Sequence, residues 1–386
     1  MKKRVIAAAL AVALVFTGCG INKKVDSAND ASSVANSGKV EQTSDKTGTS
    51  EQDKASEGAS DASSEASSVA EQTAKRGEPI VDADGHYMFN PYVGKGLLKD
   101  LHTQEEWDAF YNLIEALREG KDTYECANVD AFNFSINAAV WNEYFPEGYP
   151  IGSYGDGAEY SFNNGVVHIT YPISKEEYLQ KVKAFEDDIA GILKETGIRS
   201  DYSDFEKVLI LYDYMATNFK YGYDMAENNP DMSMEEINDK YGTYNCFRNR
   251  VGICSSLAPA YIYLLHQVGV DNAIQIDGPG HNWVYIELDG ESYFTDPTWG
   301  LREANDGNLI LDYFLMSYDK RAKDYTEYGV FIFDTEDVIF TDYKMPYTVT
   351  GHKYDFLDGA KFVSLDPDKN ILTYIDASGK TQEYKY

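Results

Sequence analysis

The 386-residue sequence predicts an α+β fold, because signals for helix starts and for antiparallel hairpins alternate along it. Three helix starts are indicated where a hydroxyl residue is followed three positions later by glutamate, at Thr103, Ser174 and Ser203. Two hairpins are indicated by the turns Asn164-Gly165 and Asp289-Gly290, each of which joins two segments of strand-like sequence. This mixture predicts helices packed on antiparallel sheets.

The first 19 residues have the pattern of a secretion signal. Three basic residues at positions 2–4 precede an apolar run, residues 5–16, that is too short to span a bilayer. The run leads into Phe16-Thr17-Gly18-Cys19, which resembles a bacterial lipoprotein cleavage site. The resemblance implies an extracellular protein that touches the cell membrane only through a lipid anchor at Cys19. Ordinary cleavage, with Cys19 as an incidental residue, is the alternative.

Residues 20–77 are predicted to form a disordered tether. Between Gly20 and Arg76 there is no aromatic residue, leucine or proline, so this segment lacks the apolar surface that a core requires. Three folded regions are expected after the tether: an α+β companion region at 78–200, a core at 201–300, and an extension at 301–386.

The formal net charge of −30 limits the class of partner. It excludes nucleic acid and is a poor match for anionic membrane surfaces. It favours a protein or peptide substrate that is basic and lysine-rich. The 31 tyrosines suit half-buried sheets and clefts better than a simple helical bundle.

The companion region, residues 78–200, shows two amphipathic helices around a hairpin and no catalytic pattern, so it is interpreted as packing support or as one wall of a cleft. Residues 225–250 are predicted to be a polar loop with one short helical piece after Ser233, which is expected to line a substrate site. The helix after Ser203 is predicted to bury seven side chains: Phe205, Val208, Leu209, Tyr212, Met215, Ala216 and Phe219.

A second helix is predicted directly after Cys254. Its apolar residues recur at helical spacing until Gly269 ends the pattern, and His266 is placed on the solvent side. Cys254 therefore lies at a helix N-terminus, where the helix dipole and free N–H groups favour a thiolate. The apolar positions are Leu257, Ala260, Tyr261, Leu264, Leu265 and Val268.

A short strand, Asn272 to Asp277, precedes a hairpin whose register follows from its turn. If Asp289-Gly290 is a two-residue turn, Leu288 faces Glu291 and, counting back, Trp283 faces Asp296. His281 is then the diagonal neighbour of Asp296 on the same face, within reach of a hydrogen bond. A one-residue bulge would break this parity.

Cys254, His281 and Asp296 together supply what nucleophilic acyl transfer needs: a thiol, a base that holds the thiolate, and a carboxylate that orients the base. The same residue types also bind zinc, but the spacing from Cys246 to Cys254 is unlike that of a structural zinc site. An Asp366-Pro367-Asp368 start resembles a calcium loop, yet Ile371 stands where glycine is needed. No metal and no cofactor are predicted.

The groups that would stabilise an oxyanion are less well defined. Backbone N–H groups of Cys254 and Ser255 are expected donors at the helix start, and Tyr244 or Asn245 is considered for a side-chain donor. Two further residues, Trp283 and Trp299, are expected to pack in the cleft rather than to take part in the chemistry.

These motifs carry a family resemblance. Gly252-Ile253-Cys254 before a helix, His281-Asn282-Trp283 opening a strand, and Asp296-Pro297-Thr298-Trp299 closing a hairpin resemble the transglutaminase-like superfamily, a branch of the papain-like thiol enzymes. The resemblance implies that Cys254 is the nucleophile, His281 the base and Asp296 the orienting carboxylate. It also implies a core in which the catalytic helix packs on an antiparallel sheet, with a companion region at 78–200.

The extension is predicted to end in a small β-meander, with strands from Lys361, Asn370 and Thr381. Cys126 and Cys246 either form a disulfide or are ordinary buried residues, and the second interpretation is favoured.

The leading hypothesis is a surface-anchored thiol enzyme that attacks amide or peptide carbonyls, either as a protease or amidase or as a transglutaminase. The alternative is a non-catalytic cell-surface binding or scaffold module on the same fold. Hydrolysis and cross-linking share the acyl-enzyme half of the reaction, so the sequence leaves both open.

Overall fold

The computed structural model describes residues 75–151, 158–223, 234–278, 281–328, 339–340, 343–344 and 349–386. Helices and short antiparallel sheets are mixed along these residues, so the predicted α+β class is confirmed. The predicted signal peptide, Cys19 and almost all of the tether lie outside the described residues. Among the described residues, no helix has the length and apolar character needed to cross a membrane.

The helices of the described residues are α1 Gln104–Arg118, α2 Val129–Ser135, α3 Ala138–Tyr144, α4 Lys175–Thr196, α5 Asp204–Asn218, α6 Met234–Tyr241, α7 Thr243–Asn249, α8 Cys254–Gln267 and α9 Tyr318–Tyr328. The strands are β1 Ile80–Val81, β2 Tyr87–Met88, β3 Thr123–Glu125, β4 Glu159–Asn163, β5 Val166–Thr170, β6 Lys220–Tyr221, β7 Val251–Gly252, β8 Ala273–Gly278, β9 His281–Leu288, β10 Glu291–Thr295, β11 Ile339–Phe340, β12 Tyr343–Lys344, β13 Lys361–Asp366, β14 Ile371–Ile375 and β15 Thr381–Lys385.

The predicted helix starts and hairpins are present. Thr103 and Ser203 each form a complete capping box with a glutamate, and the Ser174 hydroxyl accepts a hydrogen bond from the Glu177 N–H. All seven side chains predicted to be buried in α5 and at its C-cap are buried. Asn164 and Asp289 have positive φ angles of 50° and 54°, as a two-residue hairpin turn requires.

Helix α8 lies between a three-stranded sheet, in the order β10-β9-β8, and the helices α3, α5 and α7. Because it is covered on several sides, 12 of its 14 residues are buried. His266 is one of them, with 1% exposure and its ring 4.8 Å from the ring of Tyr144. The prediction that His266 faces solvent is therefore wrong, since α3 of the companion region covers that side of the helix.

The segment predicted as a polar loop is mostly helical in its described part. Residues 234–249 form α6 and α7, and the side chains of Cys246 and Phe247 on α7 are fully buried. Ile237, Tyr241 and Ile253 make a small apolar cluster that holds α6 against the start of α8. The short helix predicted after Ser233 is present as α6, but the prediction that the rest of this segment is a loop was wrong, because burial of Cys246 and Phe247 anchors a second helix, α7. Residues 224–233 lie outside the described part.

One large hydrophobic core runs through the described residues of the three predicted folded regions, from Tyr87 on β2 to Tyr374 on β14. The predicted meander is confirmed as the antiparallel sheet β13-β14-β15. Before it, Phe294 on β10 pairs with Met316 through an isolated bridge. This pairing brings the start of α9 to the edge of the central sheet.

Candidate active site

Cys254 is positioned by the short parallel pair β6 and β7, which leads directly into α8. Ile253 is extended, and the Ser256 hydroxyl accepts a hydrogen bond from its N–H at 3.0 Å and donates to its carbonyl at 3.1 Å. A Cβ atom on Gly252 would lie only 2.6 Å from Cys246 Sγ and 2.7 Å from Ser256 Oγ. The glycine before the cysteine is therefore needed to let the helix start pack this closely.

His281 and Asp296 meet across the hairpin as its register requires. Leu288 pairs with Glu291 and Val284 with Thr295, so the next position in register places Trp283 opposite Asp296. Nε2 of His281 lies 2.7 Å from Oδ2 of Asp296. The predicted diagonal contact is present, and the hairpin contains no bulge.

The Asp296 carboxylate is fully buried and makes four polar contacts. Its Oδ1 atom accepts hydrogen bonds from the backbone N–H groups of Thr298 and Trp299, both at 3.0 Å. Its Oδ2 atom contacts His281 and also an arginine from α9, with Nη1 of Arg321 at 2.9 Å. This carboxylate is held in one orientation from three separate segments of the chain.

Electrostatics favour an ionised pair at this site. Burial lowers the pKa of His281, but the Asp296 carboxylate and a hydrogen bond with Cys254 outweigh it and raise that pKa to about 9. Burial raises the pKa of Asp296, but His281 and Arg321 outweigh it and lower that pKa to about 2. At neutral pH the favoured state of His281 is an imidazolium, which lies between the Asp296 carboxylate and the sulfur of Cys254.

The Cys254 thiol lies between two neighbours on β9. Its Sγ atom is 3.7 Å from Oδ1 of Asn282, and it also forms a hydrogen bond with the His281 ring. Because Nε2 of His281 is occupied by Asp296, Nδ1 is the ring nitrogen left for the thiol. Cys254 is half-buried, whereas Cys126 and Cys246 are buried, and all three are free thiols. The favoured interpretation of Cys126 and Cys246 is confirmed.

Both predicted tryptophans flank the imidazole. The rings of Trp283 and Trp299 lie 6.2 and 5.0 Å from that of His281, with interplanar angles of 18° and 19°. Trp283 is buried and Trp299 is half-buried. They pack against His281 and exclude water from it, as expected of cleft walls.

The two predicted side-chain donors point elsewhere. The Tyr244 hydroxyl donates to the Lys181 carbonyl at 3.3 Å, and the Asn245 amide donates to the Asp239 carbonyl at 2.7 Å. Both side chains therefore serve the packing of α7 against its neighbours. Ser255 stays beside the thiol through its backbone, and its carbonyl accepts a hydrogen bond from Asn142 at 3.4 Å.

Three residues of the site were missed by the sequence analysis: Asn282 and Tyr221 beside the thiol, and Arg321 beside the Asp296 carboxylate. Asn282 follows the histidine directly, so its place in the motif is the signal that would have found it. Tyr221 pairs with Gly252 across β6 and β7, and burial, with the Cys254 charge second, raises its pKa. Arg321 lies on a polar helix outside the predicted core and has no local signal.

A thiol at a helix start, an imidazole and a buried carboxylate are the groups that nucleophilic acyl transfer requires. Within the described ranges, no three His, Cys, Asp or Glu side chains converge as metal ligands do. Comparison with protein-family models finds no match, and comparison with curated proteins finds no significant relative.

Proposed function

We propose that this protein is a thiol enzyme that attacks amide or peptide carbonyls through Cys254, His281 and Asp296, as a member of the transglutaminase-like superfamily. The observation that carries the proposal is the 2.7 Å contact between His281 and a fully buried Asp296, with the thiol bonded to the same imidazole. Helix α8 packed on the sheet β8–β10 supports the papain-like core that the proposal includes.

In the first half of the reaction, the Cys254 thiolate attacks the carbonyl carbon and His281 gives its proton to the leaving amine. Asp296 keeps the ring oriented, with Nδ1 toward the thiol. The N–H groups at the start of α8 and the side-chain amide of Asn282, whose oxygen and nitrogen positions interchange by a flip, are the proposed donors to the oxyanion. Asn282 takes the role considered for Tyr244 or Asn245.

In the second half, an acceptor resolves the thioester that links the substrate to Cys254. Neutral His281 takes a proton from the acceptor as it attacks the thioester carbonyl, and the thiolate leaves. Water as acceptor gives hydrolysis, and a lysine amine gives a cross-link. The strongly acidic chain favours basic, lysine-bearing substrates.

The proposal also includes a location, which rests on the motif around Cys19. We propose that Cys19 carries the lipid, that the enzyme works outside the cell, and that residues 20–77 hold it away from the membrane surface.

Incubation of the full chain with casein and a fluorescent primary amine tests the proposal. Amine bound to casein identifies transfer, and new peptide termini identify hydrolysis; both must vanish in Cys254→Ala. Cys246→Ala is a matched control, since that thiol is buried away from solvent. If neither product forms, or if product persists in Cys254→Ala, the proposed acyl transfer is contradicted and a binding module is favoured.

A further inference from the structure

Arg321 is a buried cation at the site that the acyl-transfer chemistry does not use. Its side chain is 3% exposed, although it lies on α9, a helix of mostly polar sequence. Burying a guanidinium is unfavourable unless it is paired with an anion. Arg321 therefore needs an anionic partner inside the protein.

The partner is the carboxylate that also holds the imidazole. Arg321 Nη1 lies 2.9 Å from Asp296 Oδ2, and His281 Nε2 lies 2.7 Å from that same oxygen. Asp296 Oδ2 is therefore in contact with two groups: the Arg321 guanidinium, which stays positively charged, and the His281 ring, which can gain or lose a proton. At this distance the charge of Arg321 acts on both Asp296 and His281.

The two tryptophans that flank the imidazole also hold the guanidinium. Arg321 Cζ lies 4.6 Å from the centre of the Trp283 ring and 4.7 Å from that of Trp299. Cation–π attraction to both rings holds the guanidinium in this position. Arg321 and His281 are therefore held in place by the same two tryptophan side chains and by the same carboxylate.

We propose that Arg321 is a positioning residue, which holds Asp296 in place and limits how strongly that carboxylate retains a proton on His281. The inference rests on the proposed function. With a thiolate and an imidazolium present, Asp296 and Arg321 add one negative and one positive charge, so the four groups are neutral together. Without Arg321 the buried site would carry a net negative charge, which favours a permanently protonated ring and a poorer base in the second half of the reaction.

Other titratable groups face the imidazole or its carboxylate from the packed elements. Two tyrosines do so from α5 and β6, and burial raises the pKa of both, so they stay neutral at the pH of interest. The charged or titratable groups that act on His281 or Asp296 are Cys254, Arg321, Tyr212 and Tyr221.

An NMR titration of the His281 ring in the full chain carrying Cys254→Ala tests the proposal. Removal of the thiol leaves Asp296 and Arg321 as the charges that act on the ring, and the readout needs no turnover. In Arg321→Met and Arg321→Gln we expect the midpoint to rise by about one pH unit or more. In Arg321→Lys, which keeps the charge, we expect a shift below about half a unit.

Arg302→Met is the matched control, since Arg302 pairs with Asp213 at 2.7 Å away from the imidazole, and it should leave the midpoint unchanged. An unchanged midpoint in both neutral variants would overturn the proposal. Loss of the folded state in both would also overturn it, because Arg321 would then belong to the fold rather than to the site. Neither result touches the casein assay of Cys254, so the two failures are distinguishable.

Discussion

Two of the buried histidines, His281 and His266, show how one kind of side chain acquires two opposite properties near the two ends of α8. His281 meets Asp296 and the thiol at the start of the helix, and its pKa is raised to about 9. His266, in the last turn of the helix, packs on Tyr144, and burial lowers its pKa to about 3. Burial alone favours the neutral ring, and a buried carboxylate reverses that preference.

The comparison also gives opposite dependences of stability on pH. His281 binds a proton more tightly when folded, so its contribution is fully present below about pH 6.5 and is lost as the pH rises through about 9. His266 binds a proton less tightly when folded, so its contribution is present above about pH 6.5 and is lost as the pH falls toward 3.

The largest expected effect comes from Asp296→Asn, which should make His281 resemble His266. The amide keeps the shape of the side chain but removes the negative charge that contacts both Arg321 and the imidazole. The free energy of unfolding should therefore fall by about 3 kcal/mol. Alkylation of Cys254 at neutral pH should slow by about 100-fold. Denaturant unfolding and a labelling time course measure these effects.

The matched control for that substitution is Asp213→Asn. Its carboxylate pairs with Arg302 near the surface, so the loss should stay below about 1 kcal/mol, with no change in labelling. If the two variants lost equal amounts of the free energy of unfolding, burial of the Asp296 ion pair would contribute no additional stability.

An intermediate effect is expected from His266→Phe, which should not affect the thiol. Between pH 7 and pH 5 the wild-type chain should lose about 2 kcal/mol more stability than this variant. The His266 ring, which is present only in the wild type, is neutral in the folded state and gains a proton on unfolding. Chemical denaturation at the two pH values measures the difference. Parallel losses in the two chains would mean that His266 is not the neutral buried ring described above.

The smallest effect is expected from Ser256→Ala at the helix start. Its hydroxyl bonds to both backbone groups of Ile253, so its removal should cost about 1 kcal/mol of the free energy of unfolding. Labelling of Cys254 should change less than about threefold. Ser255→Ala, which spares that hydroxyl, is the control, and a larger loss in Ser255→Ala would contradict the role given to Ser256.

The parts of this site that depend on local sequence rules were predictable. The Asp289-Gly290 turn fixes the register, and the register places His281 beside Asp296. Cys254 at a helix start followed from periodicity. His266 was misplaced because periodicity shows only the more apolar face, although the neighbours Ile262 and Tyr263 indicate a helix that is apolar on all sides.

Long-range packing lay beyond these rules. Arg321 reaches Asp296 only because the segment after β10 crosses the sheet edge and returns as α9, and a polar helix with one buried arginine has no local signature. Tyr244 and Asn245 were considered for their nearness in sequence to Cys254, but α7 turns both side chains toward other partners. Chain proximity predicted these contacts poorly.

The rate at which iodoacetamide alkylates Cys254 near pH 6.5 tests the central claim without any substrate. We predict a rate at least about tenfold above that of a free cysteine thiol, falling to that value or lower in His281→Ala. Mass spectrometry separates Cys254 from the buried thiols Cys126 and Cys246, which serve as internal controls. A wild-type rate no faster than that of the free thiol, and unchanged by His281→Ala, would contradict the claim that His281 activates Cys254.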